Sequence, residues 1–191
     1  MINLVEGLNC SGKSTFIREY KPEIDELIST PYLNPRRWGH EDFLSLKFQP
    51  QASQDYFLLG AYTALTEKLY GSLSRSFWWD RTWISAYVYG SLSWTAFKAI
   101  AQYMKKFGRD GEIYQVYYID TPVDVCKERF LSQHPTQDRN YVYPMTEWED
   151  IDKSFRETLD YLETDYGVII HYVTCGELNY YIKSTSQKGT A

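Results

Sequence analysis

Near its start, the sequence has a glycine-rich loop between a predicted strand and a predicted helix. The loop fits the pattern G-x-x-x-x-G-K-[ST], whose fixed positions are occupied by Gly7, Gly12, Lys13 and Ser14. The apolar run at residues 2–5 predicts the strand, and residues 14–20 can form the helix. Glycines let successive backbone N–H groups turn toward one point, where the positive end of the helix dipole also lies. The sequence therefore predicts a nucleoside triphosphate site. A glycine turn followed by an accidental Lys-Ser pair is the disfavoured alternative.

The motif also assigns side chains to the triphosphate and its metal ion. Lys13 is expected to reach the outer phosphates, and the Ser14 hydroxyl is expected to bind Mg²⁺. Cys10 lies inside the loop, where the backbone matters more than the side chain. The nucleotide-binding segment is predicted to comprise Gly7, Asn9, Cys10, Ser11, Gly12, Lys13, Ser14 and Thr15.

Length and composition are those of one globular domain spanning residues 1–191. The net charge of −5 argues against a broad electrostatic surface for duplex nucleic acid, although it allows a local basic cleft. The three cysteines include no C-x-x-C pair, which argues against a zinc site and suits a reducing compartment. The sequence has no apolar run of membrane-spanning length and no signal-peptide pattern. We therefore expect no membrane partner and a cytoplasmic location.

Short apolar runs alternate with amphipathic segments, which predicts an α/β fold with a five-stranded parallel sheet flanked by helices. Strands are predicted at residues 2–5, 24–30, 76–79, 113–119 and 168–173. Helices are predicted at residues 14–20, 41–47, 53–74, 92–107 and 148–162, with another starting at Pro122. Residues 134–146 contain two prolines and no clean period, so a loop is predicted there, and the polar tail from about residue 184 is expected to be frayed.

An Asp-Arg pair follows the third predicted strand. Open α/β sheets bind their ligands at the carboxyl ends of the strands, which is where Asp80 and Arg81 are expected. A carboxylate at this place can hold the water shell of Mg²⁺, because that ion needs few protein ligands. A guanidinium can bind a second phosphate through two hydrogen bonds. The alternative is a surface pair with no ligand.

Further basic residues flank the predicted loop and the second strand. Lys127 and Arg129 precede the loop at residues 134–146, and Arg139 lies within it. Phosphoryl transfer is accelerated mainly by positioning and charge neutralisation, so a loop bearing an arginine could close over the reactants. Solvated charges are the alternative, and it is favoured for Lys127. A second basic pair follows the second strand, on the side where an acceptor would lie, and an exposed pair is equally consistent with the sequence. These residues are Arg36 and Arg37.

Together these segments resemble the thymidylate kinases. Residues 5–15 are similar to the phosphate loop of that family, and residues 80–89 to its Asp-Arg-aromatic segment. Residues 120–129 and 137–139 look like the passage to the family's lid and the lid itself, and the order agrees over roughly residues 2 to 173. The resemblance implies a P-loop kinase fold with a lid. It also implies ATP and Mg²⁺ as cofactors and a nucleotide or nucleoside as the acceptor.

The resemblance also implies roles for individual residues. Lys13 and Ser14 would contact the donor phosphates and the metal ion, with Asp80 near the metal. Residues expected at the acceptor are Asn9, Arg36, Arg37, Phe57, Arg81, Ser85 and Tyr89. Among these, Arg81 would hold the acceptor's phosphate, and Phe57 is a candidate to stack on its base. Arg139 would be the arginine of the lid.

Two departures from the family pattern concern the acceptor. Asn9 stands where thymidylate kinases usually have an aspartate near the acceptor's sugar, and Tyr62 and Thr63 stand where an arginine near the pyrimidine is common. The leading expectation is therefore phosphorylation of a deoxynucleoside monophosphate, either thymidylate-like or carrying a modified pyrimidine. A nucleoside hydroxyl or a hydroxymethylpyrimidine in DNA is the alternative acceptor. A nucleotide-gated binding protein is disfavoured by the Asp-Arg pair, and a homodimer is possible because relatives are often dimers.

Overall fold

The computed structural model describes residues 2–20, 26–29, 50–70, 77–107, 114–133, 147–175 and 180–185. Over these residues the chain forms one six-stranded sheet with helices around it. The strands are β1 (Ile2–Glu6), β2 (Glu26–Ser29), β3 (Phe77–Asp80), β4 (Tyr114–Ile119), β5 (Ile169–Cys175) and β6 (Tyr180–Ser184). The helices are α1 (Lys13–Tyr20), α2 (Gln51–Tyr70), α3 (Trp83–Val88), α4 (Trp94–Phe107), α5 (Val123–Gln133) and α6 (Trp148–Tyr166).

The sheet has the strand order β2-β3-β1-β4-β5-β6. The five strands from β2 to β5 in this order are parallel, which confirms the predicted α/β class with a five-stranded parallel sheet flanked by helices. The strand β6 was not predicted, and it pairs antiparallel with β5. Its sequence, Tyr-Tyr-Ile-Lys-Ser, has no clean polar and apolar alternation, so no period marks it as a strand. The pairing reaches beyond the predicted start of the frayed tail, because the Thr185 N–H donates to the Ile170 carbonyl at 2.9 Å.

The helix predictions are confirmed where the apolar period is long. The apolar stripe of α6 lies entirely in the core, and its members are Trp148, Ile151, Phe155, Leu159 and Leu162. The helix α3 was not predicted, since six residues are too few to show a period. The predicted helix at residues 41–47, the predicted loop at residues 134–146 and the last six residues of the tail lie outside the described part of the chain.

The central strand β1 is buried along its whole length, as expected for a parallel sheet covered on both faces. On one face, Leu4 belongs to a large apolar cluster with side chains of α2, α4 and α6. On the other face, Val5 packs in a smaller cluster with Phe16 of α1 and with Trp78 and Tyr117 of the neighbouring strands. Successive residues of β1 thus pack against helices on opposite faces of the sheet.

The strand register brings three carboxyl ends to one edge of the sheet. Val5 of β1 is aligned with Asp80 of β3, and Glu6 is aligned with Tyr118 of β4. The glycine-rich loop leaves β1 at this edge and enters α1, and the Asp-Arg pair leaves β3 beside it. The topology thus places the two predicted phosphate-binding segments next to each other.

Within the described ranges, none of the helices combines the length and the apolar character that crossing a membrane would require.

Candidate active site

The glycine-rich loop adopts backbone angles that explain its glycines. Gly7 has φ +140°, and a Cβ atom at this residue would come within 2.9 Å of the Ile119 carbonyl oxygen. Gly12 also has a positive φ, +101°. Cys10 adopts a left-handed φ of +58°, which is uncommon for a residue with a side chain. The loop is thus held close to the end of β4 in a conformation that most residues cannot adopt.

Lys13 lies inside the loop rather than in solvent. Its Nζ atom donates to the Gly7 carbonyl at 3.0 Å and to the Leu8 carbonyl, and only 5% of the residue is exposed. Burial lowers the pKa of Lys13 to about 7; the nearby positive charge of Arg81 acts in the same direction, while Asp80 and Glu6 oppose it. A phosphate group brought to the loop would favour the charged form of this lysine, because an opposite charge within a few ångströms raises its pKa.

Two side chains from the end of β4 and from α5 support the outer part of the loop. The Thr121 hydroxyl donates to the Ser11 carbonyl at 2.7 Å. Arg129 of α5 donates through Nη1 to the Cys10 carbonyl at 3.3 Å and to the Ser11 carbonyl at 3.5 Å. Arg129 therefore contacts the loop itself. Lys127, two residues earlier, forms a 2.6 Å ion pair with Glu149 on the surface.

The Asp-Arg pair forms a tight turn between β3 and α3. Arg81 has a left-handed φ of +58°, and its N–H donates to the Val5 carbonyl at 3.1 Å. Its guanidinium donates to the side-chain oxygen of Asn9 in the glycine-rich loop and lies 5.9 Å from the ring centroid of Tyr89. Backbone strain of this kind concentrates at functional sites. The turn thus aims Arg81 across the end of β1 toward the phosphate loop.

Asp80 and Ser14 fit a magnesium ion. The Oδ1 atom of Asp80 is buried and makes no hydrogen bond in the described structure, so it is available to an ion or to the water shell of an ion. The Ser14 hydroxyl is exposed, and both residues line the same cavity. The described residues contain no cluster of three or more metal-binding side chains. Mg²⁺ does not require one, since it keeps most of its waters when it binds with a nucleotide.

A cavity of about 480 Å³ joins these parts. It is lined by Cys10, Ser11, Gly12, Lys13, Ser14, Thr15, Asp80, Arg81, Arg129, Gln133, Cys175 and Tyr180. The last two residues come from β5 and β6 and were not predicted as site residues. No sequence pattern marks either residue, because both reach the cavity through the pairing of β5 with β6.

Glu6 was also missed by the sequence analysis. It lies one residue before the glycine-rich loop, is fully buried, and accepts hydrogen bonds from Thr82 and Ser85. Burial raises the pKa of Glu6, while the bonds from Ser85 and Thr82 and the charge of Lys13 oppose this shift. The signal in the sequence is a carboxylate at the end of a buried strand in which Ile2, Leu4 and Val5 are apolar.

The structure brings together several of the predicted site residues and leaves others apart. Asn9, Lys13, Asp80 and Arg81 lie around one cavity edge. Ser85, predicted at the acceptor, is fully buried beneath the turn, and Phe57 lies on α2 with 43% of its surface exposed. Their roles at the acceptor stay predictions. Three predicted arginines lie outside the described residues: Arg36, Arg37 and Arg139.

The phosphate loop and the Asp-Arg turn lie side by side at one edge of a mostly parallel sheet. This arrangement is that of the P-loop kinase fold. Comparison with solved structures gives the same result. Deoxyadenosine kinase from M. mycoides with bound dATP is 14% identical over 94% of this chain and 92% of that chain, with a TM-score of 0.54. The same enzyme with bound dCTP is 16% identical over 91% and 90% of the two chains, with a TM-score of 0.55. A third structure of it, with the products dCMP and dCDP, gives 14% identity over 94% and 92%, with a TM-score of 0.52.

At these identities the likeness shows the shared fold. No protein-family model and no curated protein matches the chain. The finer resemblance to thymidylate kinases stays a prediction.

Proposed function

We propose that this protein is an ATP- and Mg²⁺-dependent phosphotransferase that moves the γ-phosphoryl group to a deoxynucleoside monophosphate. One observation carries the proposal. The phosphate loop with Lys13 and the turn with Asp80 and Arg81 line a single cavity at the carboxyl edge of the parallel sheet. Two cationic side chains beside one orphaned carboxylate oxygen suit a site where a phosphoryl group passes between two anionic reactants.

The donor half of the proposed site is built mainly from backbone. N–H groups of residues 11–14 and the start of α1 would bind the triphosphate, and Lys13 would exchange its contacts with the loop carbonyls for the outer phosphates. Ser14 and Asp80 would hold Mg²⁺, directly or through its waters. The ion supplies neutralisation of the charge that develops between donor and acceptor.

The acceptor half of the proposed site favours a monophosphate over a hydroxyl group. Arg81 offers a guanidinium suited to bidentate phosphate binding, and its hydrogen-bond partner in the phosphate loop, Asn9, is neutral. A phosphate is already an anion at neutral pH and needs no base, whereas a hydroxyl has to lose a proton during transfer. Two carboxylates lie at this turn: Glu6 already accepts hydrogen bonds from the protein with both oxygens, and Asp80, whose buried Oδ1 atom has no hydrogen bond, is assigned to Mg²⁺ in this proposal.

A nucleoside acceptor is the second candidate, because the solved neighbours are named deoxyadenosine kinase and one of them is described with the product dCMP. In that reaction a carboxylate of the site would have to accept the proton of the nucleoside hydroxyl. A hydroxymethylpyrimidine in DNA is a weaker candidate, since the net charge of −5 does not favour a long anionic polymer.

The test is a transfer assay with ATP labelled in the γ-phosphoryl group against a panel of acceptors. The panel contains each deoxynucleoside monophosphate, each free deoxynucleoside, and DNA with hydroxymethylpyrimidines. The proposal predicts label in a deoxynucleoside diphosphate. Label in a monophosphate would establish the nucleoside alternative, label in DNA would establish the third, and transfer to none of them would refute phosphotransfer. Arg18, an exposed residue of α1, gives a control variant, Arg18→Ala, with unchanged transfer.

A further inference from the structure

The buried Glu6 carboxylate, next to the phosphate loop, accepts hydrogen bonds from residues that follow the Asp-Arg turn. Its Oε1 atom accepts the Thr82 backbone N–H at 2.7 Å and also the Thr82 hydroxyl. Its Oε2 atom accepts the Ser85 hydroxyl. Glu6 ends β1 and Thr82 precedes α3, so these bonds join residues that are 76 and 79 positions apart in sequence.

These bonds fix the turn that carries Arg81. Thr82 is the N-cap of α3, and its side-chain oxygen accepts the Ile84 N–H at 3.2 Å while its hydroxyl hydrogen points to Glu6. Arg81 stands between this cap and Asp80, in a left-handed conformation that is unfavourable for a residue with a Cβ atom. Such a conformation persists only when the surroundings over-determine it. The bond from the Arg81 N–H to the Val5 carbonyl is one constraint, and the bonds that Glu6 accepts from the next residue, Thr82, are further ones.

We propose that Glu6 is a positioning residue for the acceptor: its buried carboxylate holds the Arg81 turn in the orientation that binds the acceptor's phosphate. This inference rests on the proposed function. It assigns to Glu6 a role through Arg81 and not direct contact with a substrate.

The chemistry of the group explains why a carboxylate occupies this position. Three donors converge on Glu6, and an ionised carboxylate is the side chain that only accepts hydrogen bonds. An amide would keep one oxygen for Thr82 but would turn its NH₂ group toward the Ser85 hydroxyl. The negative charge also lies near Lys13 and Arg81, so it partly compensates two buried cations.

The same contacts argue against Glu6 as the proton acceptor for a nucleoside hydroxyl. The residue is 0% exposed, and each oxygen is already engaged by a donor of the protein. A base must reach the proton that it removes within hydrogen-bond distance. In this structure the carboxylate points into the turn.

The test compares Glu6→Gln with Thr82→Val and Thr82→Ser. Glu6→Gln removes the negative charge and the oxygen that accepts from Ser85, Thr82→Val removes the hydroxyl that donates to Glu6, and Thr82→Ser keeps that hydroxyl. Thr158→Val is the matched control, because the Thr158 hydroxyl is also buried and donates to a helix carbonyl, that of Ser154, away from the turn. Each variant is assayed for the KM of the monophosphate acceptor and the Kd of ATP, and amide hydrogen exchange is followed over residues 81–86.

The inference predicts that Glu6→Gln and Thr82→Val raise the acceptor KM by about tenfold or more, the loss expected when a hydrogen bond to a buried charge is removed. Both variants should also speed exchange at residues 81–86, while the Kd of ATP changes by less than about twofold, since the donor loop keeps its own contacts. Thr82→Ser should restore both readouts, and Thr158→Val should leave both unchanged.

Unchanged acceptor KM and unchanged exchange in Glu6→Gln and Thr82→Val would overturn the inference. So would a loss of kcat in Glu6→Gln with normal KM and normal exchange, which is the behaviour of a proton acceptor. If the wild-type protein transfers phosphate to no acceptor, the proposed function fails. The exchange measurement then decides separately whether Glu6 holds the turn.

Discussion

The two phosphate-binding parts of this molecule are built in different ways. The lysine of the glycine-rich loop is held from within the loop: Lys13 bonds to carbonyls five and six residues away. The Arg81 turn depends on partners far along the chain, since its guanidinium meets Asn9, 72 residues away, and its N–H meets Val5. A local motif therefore fixes the position of the donor lysine, whereas the Arg81 turn forms only after the sheet has assembled.

This difference has a consequence for mutations. A change in the donor loop should act on the step that all substrates share. A change in the Arg81 turn should act mainly on the acceptor, because the turn holds Arg81 and its hydrogen bond to the donor loop is made to the side chain of Asn9. The following predictions test that separation.

The largest effect is expected for Lys13→Ala. The lysine is the cationic side chain within the donor loop, and removing a charge that stabilises the migrating phosphoryl group costs about a thousandfold or more in kcat. Steady-state transfer assays measure this loss for every acceptor in the panel, with circular dichroism to verify the fold. Lys98→Ala, at a surface lysine of α4, is the control and should retain full activity. Transfer by Lys13→Ala at the wild-type rate would show that the donor does not bind at this loop.

A loss of ATP binding is expected for Gly7→Ala. The new Cβ atom would lie 2.9 Å from the Ile119 carbonyl oxygen in a backbone conformation that only glycine adopts readily, at an expected cost of about 3 kcal/mol. The free energy of unfolding and the Kd of ATP, both from titrations, measure this effect. Gly60→Ala in α2 is the control: no atom lies within 4 Å of the new Cβ, and alanine favours the helix by about 0.5–1 kcal/mol. Equal stability of the two variants would contradict the geometry of the loop.

A smaller and more selective effect is expected for Arg81→Ala. Loss of the guanidinium should raise the KM of a monophosphate acceptor by about 10- to 100-fold, since a charged hydrogen bond to phosphate contributes about 1.5–3 kcal/mol. The Kd of ATP should change far less. Kinetics with the acceptor varied at saturating ATP give the acceptor KM, and a separate titration gives the Kd of ATP. An unchanged acceptor KM would favour a nucleoside or a base in DNA as the acceptor.

The smallest effect is expected for Asn9→Asp. Asn9 contacts Arg81 through its side-chain oxygen, and an aspartate would keep this contact while adding the charge that thymidylate kinases usually carry there. We expect the ratio of kcat/KM for thymidylate to that for the other deoxynucleotides to rise by about threefold, a change near 0.7 kcal/mol. An unchanged ratio would show that position 9 does not select the acceptor.

The contrast between the two regions also explains how much could be predicted from the sequence. The phosphate loop could be predicted because its motif lies within eight consecutive residues, with Gly7, Gly12, Lys13 and Ser14 at the required spacing. The predicted strands around it have clear apolar runs. Glu6 could not be found in this way. Its role depends on Thr82 and Ser85, which reach it only because β3 pairs with β1.

The strand β6 was missed for a related reason. Its five residues show no period of their own and become a strand by pairing with β5, so Cys175 and Tyr180 at the cavity were missed as well. The bond from Ser85 to Glu6 could not be found from the sequence either, and the role of Ser85 at the acceptor stays a prediction from resemblance. Pairing between strands that are distant in the chain brings these residues to the site, and the local pattern of one sequence does not show which strands pair.

The most direct measurement is a single-turnover experiment with γ-labelled ATP, excess enzyme and one deoxynucleoside monophosphate, stopped at short times. The account predicts that label moves from ATP into the β-phosphate of the deoxynucleoside diphosphate, and that Lys13→Ala shows no such product. Label released only as free phosphate, at the same rate with and without the monophosphate, would contradict it.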